Sequence, residues 1–246
     1  IILFDTTGIH QEFLPLTFTR PVSDIRIGIF TIREKWESRL PGIYSYDTAD
    51  YLTVKYPMNI ASYSFFIAGN VCPDEKLVAA ISSLSECESL FYGDELIAFY
   101  GSLDAFRKKD FGVKHTLNEE PFMIRKLYDI FLKNGEALEA DYRYIVSSGK
   151  SEPLSASNRV IGDPCFPDGT PKIFIEPGAV VECSALNVTK GPVYIGKDAE
   201  IMEGVCIRAP FAACEHVVVN MGTKIYGATT LGPYCKVGGG DACLFK

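Results

Sequence analysis

Cut into sixes, the stretch Ile195–Val237 reads IGKDAE IMEGVC IRAPFA ACEHVV VNMGTK IYGATT LGPYCK V. Its first column is Ile195, Ile201, Ile207, Ala213, Val219, Ile225, Leu231 and Val237, and seven of these eight are branched aliphatics. Four residues on from each stand Ala199, Val205, Phe211, Val217, Thr223, Thr229 and Cys235, mostly small. This is the hexapeptide pattern of a parallel β-helix, in which each hexad forms one flat strand with its corner. The aliphatic points into a prism where neighbouring coils stack. An ordinary sandwich of alternating strands is the weaker reading against eight in-phase positions.

Ile175 and Val181 keep the spacing but fall out of phase by two, which predicts a short insertion near Thr189-Lys190-Gly191. Gly196, Gly204, Gly222, Gly227 and Gly232 suit tight corners. A solenoid buries each coil only against its neighbours and needs caps at its ends. Hexads still run at GGGDACLFK, so the β-helix is expected to continue beyond Lys246. The chain opens on Ile1 rather than Met, so an incomplete N-terminus is expected as well. Exposed faces of such a prism favour self-association, and a homo-oligomer, with a trimer favoured, is expected.

Upstream, strand and helix patterns alternate. IILF at the start is a short apolar strand. TIREKWESRL has helical spacing, with Ile32, Trp36 and Leu40 on one face. SYSFFIAG reads as a buried strand ending at Gly69-Asn70, and CPDEKLVAAISSL as a helix with Pro73 in its first turn. DELIAFY is a strand after a Gly93-Asp94 turn, and FMIRKLYDIFLKNG a helix closed by Asn134-Gly135. Such alternation predicts an α/β sandwich. The expected division is an α/β domain over residues 1–155 and a β-helix over 156–246.

Composition removes several function classes. The chain has 246 residues, 24 Lys and Arg, 31 Asp and Glu, and a net charge of −7. Residues 156–246 hold 8 basic and 9 acidic residues, so the acidity sits mainly in the first 155. Neither part predicts a basic face, which argues against nucleic acid. Eight cysteines at 72, 87, 165, 183, 206, 214, 235 and 243 contain no C-x-x-C pair, so they read as small buried residues of a reducing compartment. No apolar run nears 18 residues, and a soluble cytoplasmic protein without a membrane partner is expected.

The run PLTFTRPVSDIRIGIFTIREKW resembles the sugar nucleotidyltransferase family, in which Pro-Leu-Thr, Arg-Pro-Lys, an apolar turn and a helix follow the first strand. The two-part layout is similar to that of bifunctional bacterial enzymes that uridylylate on a front domain and acetylate glucosamine 1-phosphate on a left-handed β-helix. Closer still is a variant branch carrying PLTFTRPV, TIREKWE, GN, NGE and GPYCKVGG much as here. The resemblance implies a nucleotidyltransferase-like, Rossmann-like fold, with a sugar 1-phosphate and a nucleoside triphosphate as substrates and Mg²⁺ as cofactor. It also implies acetyl-CoA or another acyl-CoA as a possible co-substrate.

Three departures touch that chemistry. The family's Gly-x-Gly-Thr-Arg loop, whose N–H groups cradle phosphates, is here DTTGIHQEF with only Gly8. The Lys expected after Arg20-Pro21 is Val22. The Gly-Asp that carries the metal ligand is Gly69-Asn70, and Asn offers an oxygen but no charge. Arg20, flanked by Thr19, together with Arg26 and Arg33, are the candidate replacements, since a guanidinium fork grips phosphate. Arg26 and Arg33 also read as solvated charges. Asn70, Asp129, Asn134 and Glu136 are candidate sugar contacts, although Asn134-Gly135 also reads as a helix stop.

Acyl transfer needs a general base, and the hexads hold one His, His216, beside Cys214 and Glu215. It lies where the weak inner residue Ala213 would let a loop distort the coil. No metal site is expected from the protein's own ligands, and a β-helical carbonic anhydrase would need three His. Together these features predict a sugar-phosphate transferase with Arg20 and His216 as its catalytic residues. The alternative is a sugar- or nucleotide-binding regulatory domain on a β-helical scaffold.

Overall fold

The computed structural model describes residues 1–238. Two compact units emerge from the packing: Ile1–Ile25 with Phe30–Ile130, and Arg26–Ile29 with the chain from Phe131 onward.

The first unit is built on one six-stranded mixed sheet. Its strands are β1 (Ile2–Phe4), β2 (Ser45–Asp47), β3 (Ser64–Ala68), β4 (Glu88–Tyr92), β5 (Glu95–Gly101) and β6 (Val113–Thr116), in the order β2-β1-β3-β5-β4-β6. Ile2, Leu3 and Phe4 are all buried, as expected of a short central strand with parallel neighbours on both sides. Phe4 stands in register with Asp47 on one side and Ala68 on the other. The carboxyl ends of β1, β2 and β3 therefore lie side by side. Because β2 and β3 flank β1, the connection reverses direction at β1/β3, the place where open α/β sheets leave a crevice.

Helices α1 (Thr7–Glu12), α2 (Ile32–Arg39), α3 (Glu75–Ser82) and α4 (Leu103–Lys108) complete this unit. TIRE is a capping box: Thr31 Oγ1 accepts from Glu34 N–H, and the Glu34 carboxylate accepts from Thr31 N–H. Ile32 and Trp36 are fully buried, Leu40 half-buried, and Trp36 Nε1 donates to Val71 O at 2.8 Å. Pro73 is outside α3, because Asp74 is the residue whose side chain caps the helix.

FMIRKLYDIFLKNG does not make one helix. Met123 bridges to Val71, and Ile124 N–H donates to Asn70 O, so the segment begins extended beside β3. The Asp129 carboxylate then accepts the N–H groups of Arg125 and Lys126, closing a turn before the four-residue α5 (Asp129–Leu132). Asn134-Gly135 opens α6 (Asn134–Ser148) instead of ending a helix.

Among the described residues of the second unit, twelve short strands stack into three parallel sheets. One holds β7 (Arg159–Ile161), β10 (Ala185–Asn187), β13 (Cys206–Arg208) and β16 (Lys224–Ile225). The next holds β8 (Ile173–Ile175), β11 (Val193–Ile195), β14 (Phe211–Ala213) and β17 (Thr229–Leu231). The last holds β9 (Val180–Val181), β12 (Glu200–Ile201), β15 (Val218–Val219) and β18 (Lys236–Val237). This is the parallel β-helix that the hexads predict. Ile195 pairs with Ala213 and Ala213 with Leu231, eighteen residues per coil.

The phase slip has a local cause. Val181 to the next inward residue, Leu186, is one residue short of a hexad, and Leu186 to Ile195 is three too long. The extra residues fall at Val188–Pro192, as anticipated near Thr189-Lys190-Gly191. The coils begin earlier than the visible hexads, because β7 pairs with β10 across the long connection that leads to β8. No loop breaks the coil at Ala213: the eighteen-residue register runs straight through it, and the fully buried Phe211 in the same strand supplies the volume that alanine lacks. Helix α6 packs on β17 in this unit, so the packing boundary falls well before the 155/156 junction.

Among the described cysteines only Cys72 and Cys214 are buried; Cys87, Cys183, Cys206 and Cys235 are exposed. Among the described residues no helix is long and apolar enough to cross a membrane.

Candidate functional site

Strands β1, β2 and β3 end in Phe4-Asp5, Asp47 and Ala68-Gly69-Asn70, and of these Phe4, Asp5, Asp47, Ala68 and Asn70 floor a cavity of about 660 Å³. Its apolar wall is aromatic. Phe106 of α4 stacks on Phe66 with ring centroids 4.1 Å apart and meets Phe4 edge-on at 5.2 Å. Phe91 and Phe111 extend the wall. That packing fixes α4, and with it Arg107, over the carboxyl edge of the sheet.

Three polar groups define the floor. Asp5, 2% exposed in its side chain, accepts through Oδ2 from Val22 N–H at 3.1 Å and from Thr48 Oγ1 at 2.8 Å. Its other oxygen, Oδ1, is buried with no hydrogen-bond partner. Asp47 receives both guanidinium nitrogens of Arg107, at 2.6 and 3.0 Å. Asn70 is buried and donates through Nδ2 to Ile124 O at 2.8 Å, which leaves its amide oxygen to accept.

A second cavity of about 640 Å³ shares Asp5, Thr7, Asp47 and Arg107 with the first. Its far side carries His10, whose Nε2 lies 2.9 Å from the Tyr51 hydroxyl and whose Nδ1 lies 3.6 Å from Asp5 Oδ2. Carboxylates outnumber cations around the first cavity: Asp5, Asp47, Asp94 and Glu95 against Arg107 and Lys109. Arg125 offsets Glu95 through a charge-assisted pair at 2.9 Å.

Of the residues singled out from the sequence, Asn70 lines this cavity. Arg20 and Arg33 line a separate, shallower depression together with Asp24, Glu34, Glu37 and Tyr56. Arg33 there is engaged by Glu37 at 2.7 Å and by the Tyr46 hydroxyl, which itself donates to Asp24 at 2.8 Å. Burial raises the Asp24 carboxyl above its ordinary pKa, against the Tyr46 hydrogen bond and the pull of Arg33 and Arg20. Thr19 is exposed at the end of a 3-10 turn, and Asp129 holds the turn before α5.

Arg26, Asn134, Glu136 and His216 belong to the second unit. The Arg26 guanidinium donates to the carbonyl of Ile29. Asn134 is buried and bridging: Oδ1 accepts from Gly28 N–H at 2.9 Å, and Nδ2 donates to Thr230 Oγ1 at 3.2 Å. Asp141, about two turns further along the same face of α6, accepts from Ile29 N–H at 2.9 Å. Gly28 adopts φ +75°, and a Cβ there would meet Ala137 backbone at 2.7 Å, so only glycine fits under α6. Glu136 is exposed.

His216 stands at a coil corner with φ +54°, in line with Asp198 and Tyr234, which share the left-handed conformation one coil away on either side. Its ring stacks on Tyr234 with centroids 4.8 Å apart, and Nε2 lies 3.8 Å from Asp198 Oδ2. Both of these neighbours come from adjacent coils.

Sequence reading missed Asp5, Asp47 and Arg107. Asp5 was visible as the first polar residue after the opening strand, whereas nothing in the sequence ties Arg107 to Asp47. No curated protein matches the chain. A family model described as sugar nucleotidyl transferase matches residues 1–150. The cavity at β1 and β3 lies wholly within that span, and the chain belongs to the sugar nucleotidyl transferase family.

Proposed function

We propose that the cavity at the carboxyl ends of β1, β2 and β3 takes a nucleoside triphosphate and a sugar 1-phosphate and transfers the nucleotidyl group. The observation that carries this is the position of the cavity, at the strand-order reversal of a family-matched sheet. In the reaction a phosphate oxygen of the sugar 1-phosphate attacks the α-phosphorus, the bond to the bridging oxygen breaks, and pyrophosphate leaves. The aromatic wall of Phe91, Phe106 and Phe111 offers a base an apolar bed, and the polar floor faces the phosphates.

Mg²⁺ fits this floor through few ligands. Among the described residues no three His, Cys, Asp or Glu side chains converge on one point. Asp5, with its orphaned Oδ1, and the amide oxygen of Asn70 are the groups that would hold the ion, alongside substrate phosphates. When bound, the ion would neutralise charge on the phosphates. Asp5 would then position it, and Val22 N–H and Thr48 would fix the Asp5 carboxylate.

The test is a pyrophosphate-release assay with UTP or dTTP, a panel of sugar 1-phosphates and Mg²⁺. Release that requires the sugar phosphate supports transfer. Nucleotide binding by calorimetry without any release would sink the transferase reading and leave a binding domain.

A second reading concerns the β-helix. The Asp198–His216 pair supports acyl transfer from an acyl-CoA to a sugar amine, with His216 taking the amine proton as nitrogen attacks the thioester and the thiol leaves. Exposed Tyr226, Tyr234 and Met221 on the coils favour the homo-oligomer, a trimer, that would place a neighbouring subunit beside that corner. Acetyl-CoA turnover unchanged in His216→Ala would remove His216 as the base.

A further inference from the structure

We propose that Arg107 is the phosphate-gripping cation of the cavity, held in reserve by Asp47 until a ligand phosphate displaces the carboxylate. This rests on the nucleotide reading of the cavity and goes beyond it by naming the group that recognises phosphate.

Two donors near this edge are already taken by the protein's own anion. Val22 N–H and the Thr48 hydroxyl both donate to Asp5, a carboxylate too buried to leave. Val22 itself, fully buried, brings no charge. The cations that line the cavity are Arg107 and Lys109. Lys109 follows the helix end in a left-handed conformation and offers a point charge. Arg107 offers a planar fork, and the fork is already aligned for two parallel N–H···O bonds, because it makes them with Asp47 at 2.6 and 3.0 Å.

The Asp47 pair is the kind that exchanges. The Arg107 side chain is 54% exposed against 13% for Asp47, so the guanidinium end of the pair is free to reach a ligand in solvent while the carboxylate stays in the floor. Phosphate presents the same bidentate oxygen edge with more charge. Asp47 cannot follow Arg107, since it ends β2 in register with Phe4. The Phe106 stack fixes α4, so Arg107 swings by its side chain alone. Arg107 also borders both cavities, so a ligand in either one can reach it. Displacement leaves Asp47 uncovered beside Asp5, the two carboxylates that an incoming divalent ion would want together.

Calorimetric titration of the full chain with UTP and with inorganic pyrophosphate, in EDTA at low salt, tests this. Arg107→Ala is expected to weaken both ligands about tenfold or more, and Arg107→Lys to recover only part, because the fork is lost. Asp47→Asn is expected to tighten both several-fold, because Arg107 no longer has a charged competitor. Thermal melts matched to wild type show that the variants are folded. Wild-type affinity in Arg107→Ala, or weaker binding in Asp47→Asn, overturns the latch while leaving the cavity reading intact. Failure of the wild type to bind any nucleotide or pyrophosphate overturns the cavity reading, and the latch falls with it.

Discussion

Val22 N–H donates to Asp5 Oδ2 at 3.1 Å across seventeen residues of chain. The buried carboxylate stands where the resembled loop would present N–H groups to a ligand anion, and so the protein supplies an anion of its own. The valine in the family's lysine position is part of the same arrangement. With its side chain fully buried and its N–H turned to Asp5, it closes the loop from inside.

Asp5→Ala removes that acceptor and strands Val22 N–H and the Thr48 hydroxyl. Leaving a buried donor unpaired costs about 1–3 kcal/mol. Urea denaturation followed by Trp36 fluorescence is expected to show a loss in that range. Asp5→Asn retains one acceptor oxygen and is expected to lose less. Equal stability of Asp5→Ala and wild type would mean that water reaches the Val22 N–H.

Asn134→Ala makes the corresponding test in the second unit. It removes the acceptor for Gly28 N–H and the donor to Thr230, and a loss of about 1–3 kcal/mol is expected. Asn134→Asp keeps the acceptor and loses the donor, so its loss is expected to be smaller. Hydrogen exchange at the Gly28 amide reads the bond directly: it is expected to be fast in Asn134→Ala and protected in Asn134→Asp.

Depth in the coil stack sets the cost of truncation. Ile201 is fully buried between Val181 and Val219, whereas Leu231 is only half-buried. Ile201→Ala is expected to cost about 2–5 kcal/mol by chemical denaturation, and Leu231→Ala clearly less. Equal costs would contradict the coil order described above.

Much of this architecture was legible because it repeats. Ile195 through Val237 announce their inward direction every six residues, and no competing period masks them. TIREKWESRL announces a helix because Ile32, Trp36 and Leu40 fall on one face, whereas the Thr31–Glu34 cap that starts it became visible only in the structure. Helix α6 was misplaced because Asn134-Gly135 carries a stop signal locally, while the bonds that start the helix come from Gly28 and Thr230, distant in sequence. The same holds for the cavity. Asn70 follows a recognisable strand and lines the cavity, but Arg107 reaches it only because α4 is stacked by Phe106 against Phe66, a contact no local pattern encodes. Arg20, inside the best-matched motif, lines a separate depression.

Buried phenols predict an alkaline response. Burial is the first cause that lifts Tyr44, Tyr46, Tyr142 and Tyr194 well above the ordinary tyrosine value near 10. A pKa raised by folding gives stability that is full below the unfolded value and is lost as pH rises toward the folded one. Absorbance at the phenolate band is therefore expected to show these four still protonated above the ordinary tyrosine value near pH 10. They are expected to ionise together as the fold opens. Ionisation of all thirteen tyrosines in one step near pH 10, with the fold intact, would contradict their burial.

Asn70→Asp separates structure from chemistry at the position where the resembled family carries an acid. The asparagine Nδ2 donates to Ile124 O at 2.8 Å, while Ile124 N–H returns to Asn70 O, so this side chain ties the segment after β6 to the end of β3. An aspartate there cannot donate, and it sets a carboxylate against a carbonyl oxygen. Without metal, Asn70→Asp is expected to lose about 1–3 kcal/mol. If Asp5 and residue 70 hold Mg²⁺ together, the added charge strengthens the site, and millimolar Mg²⁺ is expected to raise the melting temperature of Asn70→Asp more than that of wild type. Pyrophosphate release is expected to rise with it. A variant that is destabilised but gains nothing from Mg²⁺ would show that residue 70 only anchors Ile124, and that any divalent ion used by the cavity rests on Asp5 and Asp47.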